Sequence, residues 1–346
     1  MEYKILGKTG LKVSSLAFGA LQFARIDRKD AINLVHSAID YGINLIDTAH
    51  TYPYSEEILG EALNGIRNNI YIITKSISRN KEEFLNDFNT SLKRLNTDYI
   101  DIFMFHSISK KEEFKTLKDE GIIDALIKEK QKGKVRFIGF SCHNPEVIDN
   151  FYELDDFSVL MVPLNFMTDE YVRSPYYEKF EKFNTGLLAM KPFGGGRLTD
   201  IELCFKFLRQ YPKFIPVAGM QNLKELKENI KYLEQKDLLN DHDKVKIKKI
   251  SQELGTKFCR QCGYCMPCPN NIKITDVNFI KVYYKQMPVD KFNAMGLDEI
   301  VEVAKTCTEC GECSEKCPFN LDVPSIIKEN IKFYEDIKQI SKKINF

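Results

Sequence analysis

The sequence has no excess of charge of either sign. Its 50 lysine and arginine residues are balanced by 49 aspartate and glutamate residues, which leaves a formal net charge of +1. A balanced chain has no broad basic field with which to attract nucleic acid or an anionic membrane surface. We therefore expect neither nucleic acid nor a membrane among its partners.

Long apolar runs are also lacking. No run approaches the roughly 18 residues that a membrane-spanning helix needs. Met1 is followed by Glu2-Tyr3-Lys4 rather than by the basic start and apolar stretch of a secretory signal. Hydrophobic residues still make up 43% of the 346 positions, enough to bury a sizeable core. These features predict a cytoplasmic globular protein with one large barrel or two domains.

Short apolar runs alternate with longer amphipathic stretches over about the first 235 residues. The runs have the length and composition of strands buried on both faces. The predicted strands are Val13–Leu21, Asn44–Ala49, Tyr71–Ser76, Tyr99–Ser107, Arg136–Cys142, Val159–Phe166, Gly186–Phe193 and Phe214–Met220. The predicted helices are Arg28–Tyr41, Ser55–Asn64, Lys81–Leu95, Gly121–Lys132, Pro145–Leu154, Ile201–Tyr211 and Leu223–Glu234, with Met167–Phe183 the least regular.

Eight such alternations predict an α/β fold of the (β/α)8 TIM-barrel type. A small hairpin over Tyr3–Val13, with Gly7 and Gly10 in its turn, is expected to precede the barrel. A doubly wound open sheet is the alternative fold. The missing glycine fingerprint after the first predicted strand disfavours that alternative.

Cysteine is scarce outside one segment. Eight of the ten cysteines lie between Cys259 and Cys317. The two runs are Cys259-x2-Cys262-x2-Cys265-x2-Cys268-Pro269 and Cys307-x2-Cys310-x2-Cys313-x3-Cys317-Pro318. In a cytoplasmic chain this spacing indicates a metal centre rather than disulfides. The second run has the spacing of bacterial ferredoxins, and the first differs by one residue before its last cysteine.

The two runs predict two 4Fe–4S clusters with interlocked ligands. Cysteines three apart on a tight loop can turn toward one cluster, while the cysteine before the proline can reach the other. The expected ligand sets are Cys259, Cys262, Cys265 and Cys317 for one cluster, and Cys307, Cys310, Cys313 and Cys268 for the other. Zinc is the alternative, although zinc ribbons normally use two separate Cys-x2-Cys pairs. Cys142 and Cys204 stand apart, and we expect them to be packed in the interior.

The cysteine segment also sets the expected domain boundaries. Residues 1–235 form the predicted barrel, residues 236–255 a charged linker helix, and residues 256–346 a small, mainly helical ferredoxin-like domain. Within this last domain we expect an inserted helix over Val289–Val303 and a C-terminal amphipathic helix over Val323–Ile344.

Ionisable residues follow three successive predicted strands. Asp47 follows the second strand, Lys75 the third and His106 the fourth. The carboxyl ends of barrel strands meet at one mouth, which is where barrel enzymes carry their chemistry. Singly, each residue could be a helix cap or a solvated strand end. A lysine within an apolar strand, however, needs a carboxylate partner if it is buried, so we expect the three residues to converge.

Tyr52 lies five residues after Asp47. Its hydroxyl, with a pKa lowered by the nearby lysine, would act as an acid toward a carbonyl oxygen or as a base toward an alcohol. Asp47 would hold the lysine, and His106 would orient the carbonyl group. His50 and His143 also fall at strand ends, whereas no role is expected for His36.

These residues lie within motifs that resemble those of the aldo-keto reductases, in family order and at family spacing over residues 1 to about 235. The motifs include Leu6–Ser14, Asp47-Thr48-Ala49, Ser55-Glu56-x2-Leu59-Gly60, Ile73-Thr74-Lys75, Leu92–Asp101, Gly133–Ser141 and Glu228-Asn229. The whole chain resembles the subfamily with a C-terminal ferredoxin-like domain. The resemblance implies a catalytic tetrad of Asp47, Tyr52, Lys75 and His106, with Tyr54 as a rival for the tyrosine.

The resemblance also implies a nicotinamide dinucleotide, NAD(H) or NADP(H), bound in an extended form across the barrel mouth. Ser141 would hold its carboxamide, and the loop with Lys191, Gly194 and Gly195 would approach its pyrophosphate through backbone N–H groups. The further implied contact residues are Gly219, Glu228 and Asn229.

The sequence departs from the family pattern at several of these positions. Cys142 replaces the family's asparagine, and Met161 replaces its carboxamide-binding glutamine. The basic pair that reads the 2′-phosphate of NADP falls on Gly219 and Glu225. A glutamate there would repel a phosphate, which favours NAD, although Lys224 could compensate in part. The absence of tryptophan removes the aromatic wall that packs substrate in many members.

Three functions compete at this point. The first is a carbonyl or alcohol oxidoreductase acting on a small substrate, with structural or modulatory clusters. The second is a redox enzyme whose clusters exchange electrons with the barrel site or a partner protein docked at the ferredoxin-like domain. Because a hydride carries two electrons and a cluster one, this coupling needs a flavin, for which the sequence shows no motif. The third is a redox-sensing module without enzymatic activity, which the retained tetrad disfavours.

Overall fold

The computed structural model describes residues 1–108, 110–173, 175–255, 257–287 and 289–344. The chain divides into two units, Met1–Asn240 and Asp241–Phe346.

The first unit is built on a closed barrel of eight parallel strands, which confirms the predicted fold class. The strands are β1 (Tyr3–Ile5), β2 (Lys12–Ser14), β3 (Ala17–Gly19), β4 (Leu45–Asp47), β5 (Tyr71–Ser76), β6 (Ile100–Phe105), β7 (Val135–Ser141), β8 (Phe157–Pro163), β9 (Gly186–Met190) and β10 (Phe214–Gly219). Strands β1 and β2 pair as an antiparallel hairpin. The barrel order is β10-β3-β4-β5-β6-β7-β8-β9.

Helices follow most barrel strands and make up the second unit. Those of the first unit are α1 (Arg28–Asp40), α2 (Ser55–Ala62), α3 (Lys81–Arg94), α4 (Lys111–Asp119), α5 (Ile122–Gln131), α6 (Ile148–Phe151), α7 (Tyr176–Lys182), α8 (Ile201–Leu208) and α9 (Leu223–Glu234). Those of the second unit are α10 (Asp241–Gly255), α11 (Ile274–Gln286), α12 (Val289–Asn293), α13 (Leu297–Ala304), α14 (Glu312–Glu315) and α15 (Val323–Ile344).

The predicted first strand, Val13–Leu21, is wrong in its extent. Val13 and Ser14 belong to the hairpin, and only Ala17–Gly19 pairs within the barrel. The chain turns between them, where Ser14 Oγ donates a hydrogen bond to the carbonyl oxygen of Leu16 at 2.7 Å. Two serines, Ser14 and Ser15, interrupt the apolar run at this turn.

Two helices were not predicted, and one predicted helix is divided into two. Helix α4 was missed because it buries only Phe114 and Leu117 among charged residues. Helix α11 was missed because several sides are apolar and no clear stripe emerges. The predicted Val289–Val303 helix is two helices, broken where Gly296 adopts a left-handed backbone at φ 67°.

The hairpin covers the amino end of the barrel. Leu6, Leu11 and Val13 pack with the apolar side chains of the barrel interior. Gly7 fits against the start of β9, where a Cβ would lie 2.3 Å from the Gly186 nitrogen. The ionisable residues expected to carry chemistry therefore collect at the opposite, carboxyl end.

The second unit has its own hydrophobic core. Helices α11, α13 and α15 contribute buried residues such as Val277, Ile280, Val301 and Ile327. Several of the cluster cysteines pack against this core, and Cys259 belongs to it. The core thus supports both cysteine runs.

Candidate active site and cysteine centres

An ion pair between β4 and β5 lies buried at the barrel mouth. Lys75 Nζ donates to Asp47 Oδ1 at 2.5 Å and to the Thr48 carbonyl oxygen at 2.6 Å. Lys75 is 1% and Asp47 5% exposed. Burial raises the pKa of Asp47 and lowers that of Lys75, while the opposite charge of each partner counters the shift. The pair meets because β4 and β5 are neighbours in the barrel.

Tyr52 lies beside this ion pair on the loop after β4. Lys75 Nζ is 5.3 Å from the centroid of the Tyr52 ring. That ring stands edge-on to His106, with 6.0 Å between the two centroids. Tyr54, the rival candidate, is 48% exposed and immediately precedes α2. The structure thus brings Tyr52 next to both Lys75 and His106.

The expected lowering of the Tyr52 pKa is wrong. Burial raises the pKa of Tyr52 above its usual value, and the negative charge of Asp47 adds to the rise. The ammonium of Lys75 is directed at Asp47 and at a backbone oxygen. Tyr52 therefore keeps its proton at neutral pH.

His106 follows β6 and is held by its backbone, whose N–H donates to the Ser76 carbonyl oxygen at 2.8 Å. Burial lowers the pKa of His106 to about 3, and the positive charges of Lys75, Arg79 and Lys191 contribute. Its ring is therefore neutral at physiological pH. The Nδ1 atom is buried and has no hydrogen-bond partner within the described ranges.

A further buried carboxylate, that of Glu56, acts on Lys75 and was not predicted from the sequence. Glu56 is 1% exposed, accepts a hydrogen bond from Thr74 Oγ1 at 2.6 Å and pairs with Arg94 at 3.4 Å. Its charge acts to raise the pKa of Lys75. The Ser55-Glu56 motif was the available signal for this residue.

His143 is a second histidine at the mouth, and its position at a strand end was all that could be predicted for it. It lies just beyond β7, and its Nε2 atom is buried with no partner among the described residues. Burial lowers the pKa of His143 well below its usual value, and Lys191 and His106 act in the same direction. The two histidines and Lys191 are thus electrostatic neighbours.

Ser141, the expected carboxamide contact, ends β7 and is 1% exposed. Its Oγ accepts a hydrogen bond from the Ser107 N–H at 2.8 Å, which joins the loops after β6 and β7. The hydroxyl proton of Ser141 can still be donated to a ligand.

The predicted phosphate loop after β9 has an unusual backbone. Lys191 has a φ of 54°, and Gly194, Gly195 and Gly196 follow with φ values of 57°, 70° and 82°. Such a run of left-handed residues is readily tolerated only by glycine. Asn165, after β8, donates through Nδ2 to the Lys191 carbonyl oxygen at 3.0 Å.

The remaining implied cofactor contacts lie around the end of β10 and along α9. Gly219 ends the strand and is exposed, Glu228 is partly exposed and Asn229 is 4% exposed. Glu225 Oε2 accepts from the Gln221 N–H at 2.8 Å, so its carboxylate is held at the start of α9.

Two residues that depart from the family pattern, Cys142 and Met161, are buried within the barrel unit. Cys142 is fully buried, and burial raises the pKa of its thiol to about 12. Met161 is 2% exposed and belongs to the apolar barrel interior. Cys204 is also fully buried, on α8.

Thiols of both cysteine runs gather at the first centre. Cys259 is 7% exposed, the most buried of the eight. Burial raises the pKa of Cys262 to about 11, and the charges of Cys259 and Cys317 act in the same direction. Burial likewise raises the pKa of Cys265 to about 12, with Cys259 among the further causes.

A pocket near the second cysteine run is lined by cysteines of both runs. Its cysteine lining consists of Cys265, Cys268, Cys307, Cys310 and Cys313. Pro267, Pro269 and Pro324 complete part of the wall. Cys268 thus faces the same space as three cysteines of the second run.

Comparison with protein families gives two matches along the chain. Residues 15–203, more than half of the chain, match the Aldo/keto reductase family, and residues 258–322 match a 4Fe-4S dicluster domain. Aldo-keto reductase YhdN of Bacillus subtilis is 31% identical over 209 residues, which cover 54% of this chain and 60% of YhdN. L-galactose dehydrogenase of Arabidopsis thaliana is 38% identical over 160 residues, which cover 41% of this chain and 48% of that enzyme. The chain therefore spans 60% of one of these relatives and 48% of the other.

Solved structures share the barrel. A Pseudomonas aeruginosa structure assigned to the aldo-keto reductases superposes with a TM-score of 0.59 at 28% identity, over 67% of this chain and 93% of that one. The holo form of an aldo-keto reductase from Bacillus halodurans superposes with a TM-score of 0.63 at 22% identity. The match covers 72% of this chain and 96% of that one, and at this identity it supports the fold alone. No helix in the described ranges combines the length and apolar character needed to cross a bilayer.

Proposed function

Because the chain belongs to the aldo/keto reductase family and carries a 4Fe-4S dicluster domain, we propose that it is a nicotinamide-dependent oxidoreductase. It reduces a small carbonyl compound or oxidises the corresponding alcohol. The observation that carries this proposal is the grouping of Tyr52 with the buried Asp47–Lys75 pair and with His106. These side chains come from the ends of three successive barrel strands, where barrel enzymes perform their chemistry.

Tyr52 acts as the general acid in the reduction. Its raised pKa keeps the phenol protonated at neutral pH, so a proton is available for the carbonyl oxygen. Lys75 lies near the Tyr52 ring and is held there by Asp47. His106 is neutral and can donate a hydrogen bond to the same carbonyl oxygen without competing for the proton.

A nicotinamide dinucleotide fits the mouth in part. When bound, this cofactor supplies or accepts the hydride. Ser141 would hold its carboxamide, and Lys191, Gly194 and Gly195 would contact its pyrophosphate. Gly219, Glu228 and Asn229 would contact the remainder. The fit is supported by the left-handed glycine backbone after β9 and by the Ser141 hydroxyl, whose proton can be donated to a ligand.

NAD is the better match of the two dinucleotides. The carboxylate of Glu225 is fixed at the start of α9 by the Gln221 N–H, beside the end of β10 where the family reads a 2′-phosphate. A carboxylate there repels a phosphate group. We therefore propose NADH as the preferred reductant.

Because residues 258–322 match a 4Fe-4S dicluster domain, we assign the cysteine sets of the second unit to two 4Fe–4S clusters. Cys259, Cys262, Cys265 and Cys317 would hold one cluster, and Cys268, Cys307, Cys310 and Cys313 the other. The electrostatic contact of Cys317 with Cys262 and the position of Cys268 in the pocket of the second run support this interlocked assignment. Iron would supply the positive charge that these buried thiols need in order to ionise.

The dicluster domain also supports a second candidate function. In this alternative the clusters pass electrons to or from the barrel site. Anaerobic addition of NADH, followed by visible absorbance and EPR, separates the two functions. Bleaching of the clusters favours electron transfer, whereas carbonyl turnover with unchanged clusters favours hydride transfer alone.

The test of the main proposal compares two tyrosines that lie two residues apart. With NADH and a panel of small aldehydes under anaerobic conditions, Tyr52→Phe should lower kcat/KM by about 10²- to 10⁴-fold. Its dissociation constant for NADH should stay unchanged. Tyr54→Phe is the matched control and should retain activity, because Tyr54 is largely exposed. Equal activity of Tyr52→Phe and the wild type would refute the assignment.

A further inference from the structure

Two imidazole nitrogens at the barrel mouth are buried and unpartnered within the described ranges. They are Nδ1 of His106 and Nε2 of His143. Leaving a buried donor or acceptor without a hydrogen bond destabilises the fold, so native proteins rarely do so without a reason. Two such atoms at one mouth indicate a place for ligand oxygens.

The backbones that carry these rings are fixed. The Ser107 and Ile108 N–H groups donate to Oγ and to the carbonyl oxygen of Ser141, both at 2.8 Å, which joins the loop of His106 to that of His143. Neighbouring strands lie about 4.8 Å apart. Groups on adjacent carbon atoms of one small ligand can therefore reach both rings.

The charges around the two rings favour an anion. Lys191 acts on both histidines, and Lys75 and Arg79 act on His106. Lys75 is already neutralised by Asp47. Because the rings themselves are neutral, each can donate one hydrogen bond, while Lys191 supplies the positive charge.

We propose that His143, with the positive charge of Lys191 nearby, binds a carboxylate whose carbon is bonded directly to the reacting carbonyl carbon, so that the substrates are 2-oxo acids. The assignment rests on the proposed function, in which Tyr52 and His106 hold the carbonyl oxygen. Since Tyr52 flanks His106 and the loop of His143 adjoins that of His106, a carbonyl held by Tyr52 and His106 has its neighbouring carbon near His143. If that neighbouring carbon is the carboxylate carbon, one of its anionic oxygens accepts a hydrogen bond from the Nε2–H of His143.

The reaction balances with the groups already named. The carbonyl carbon receives a hydride, whose two electrons come from the reduced nicotinamide. The carbonyl oxygen receives a proton from Tyr52, so that the C=O bond becomes C–O–H. The carboxylate is unchanged, and the product is a 2-hydroxy acid.

The first experiment compares pyruvate with butane-2,3-dione, which has nearly the same shape but no charge. The wild type should prefer pyruvate. His143→Leu should lower kcat/KM for pyruvate by about 10- to 100-fold, the usual effect of losing a hydrogen bond to a charged group. The loss for butane-2,3-dione should be at least about tenfold smaller. His143→Gln keeps an N–H donor and should recover most of the preference, and His242→Leu, on the exposed start of α10, is the control.

The second experiment measures binding and does not depend on turnover. Oxamate, an unreactive analogue of a 2-oxo acid, and inorganic pyrophosphate are titrated calorimetrically into the wild type and His143→Leu, with and without NADH. We expect oxamate binding to weaken about tenfold or more in the variant while pyrophosphate binding stays unchanged.

The outcomes separate the two proposals. Unchanged oxamate binding in His143→Leu, no oxamate binding by the wild type, or an equal or larger loss for pyrophosphate would overturn the carboxylate site. If no carbonyl compound is reduced but oxamate still binds through His143, the proposed reaction fails and the carboxylate site stands.

Discussion

Lys75 Nζ lies 2.5 Å from Asp47 Oδ1 in a barrel mouth where both side chains are almost completely buried. Two opposite charges removed from water together form a unit with no net charge. Either charge alone would be left in a medium that solvates it poorly. The pair therefore links the stability of the barrel to its chemistry, since the same lysine lies over the Tyr52 ring.

Removing one member of this pair should destabilise the barrel strongly. Lys75→Met leaves the Asp47 carboxylate buried and unpaired, and we expect the free energy of unfolding to fall by about 3–5 kcal/mol. The double variant Asp47→Asn, Lys75→Met should lose less than Lys75→Met alone, because no charge is left unpaired. Anaerobic urea unfolding followed by circular dichroism measures both.

Lys93→Met on the exposed side of α3 is the control for these variants. It should change the free energy of unfolding by no more than about 0.5 kcal/mol. If the double variant were as unstable as the sum of its two single variants, the pair would not be coupled as its geometry indicates.

The pKa of His106 predicts how stability depends on pH. The pKa is about 3 in the folded protein and about 6.5 in an unfolded chain. Between these values the unfolded state binds a proton that the folded state does not. Stability is therefore lost as the pH falls below about 6.5, by up to about 2 kcal/mol at pH 5. His143 acts in the same direction.

Comparison of the wild type with His106→Gln isolates this contribution. Between pH 7 and pH 5 the wild type should lose up to about 2 kcal/mol more free energy of unfolding than the variant. Groups that His106 does not influence contribute equally to both proteins, whereas the pKa of His143 is lowered less in the variant because His106 is one of its causes. Identical losses would show that His106 is protonated in the fold near its ordinary pKa.

Much of the barrel could be predicted from the sequence, because strands buried on both faces leave short apolar runs such as Val159–Val162. The convergence of Asp47 and Lys75 followed from the topology, since the ends of neighbouring parallel strands must meet. The turn after Ser14 was missed although Ser14 and Ser15 interrupt the apolar run, because two serines do not by themselves distinguish a turn from a strand that continues.

The electrostatics of the site were harder to predict. The rise in the pKa of Tyr52 comes from burial and from Asp47, and it depends on where the Lys75 ammonium points. The unpartnered nitrogen of His143 is likewise a property of the folded mouth. Residue spacing along the chain carries neither kind of information.

Cysteine variants test whether the last cysteine of each run binds the cluster held mainly by the other run. If the ligands are interlocked, Cys317→Ala should remove the same cluster as Cys259→Ala, although Cys317 lies in the second run. Cys268→Ala should instead match Cys310→Ala. The anaerobically purified wild type should hold about eight iron and eight sulfide per chain, and each variant about four.

EPR of the dithionite-reduced variants tells the two clusters apart, because each single loss leaves the spectrum of the other cluster. The spectra of Cys317→Ala and Cys259→Ala should coincide and should differ from that of Cys310→Ala. Cys204→Ala, buried on α8, is the control and should keep the full iron content. Coincident spectra for Cys317→Ala and Cys310→Ala would mean that each run holds its own cluster. In that case, the contact of Cys317 with Cys262 would be only a consequence of packing.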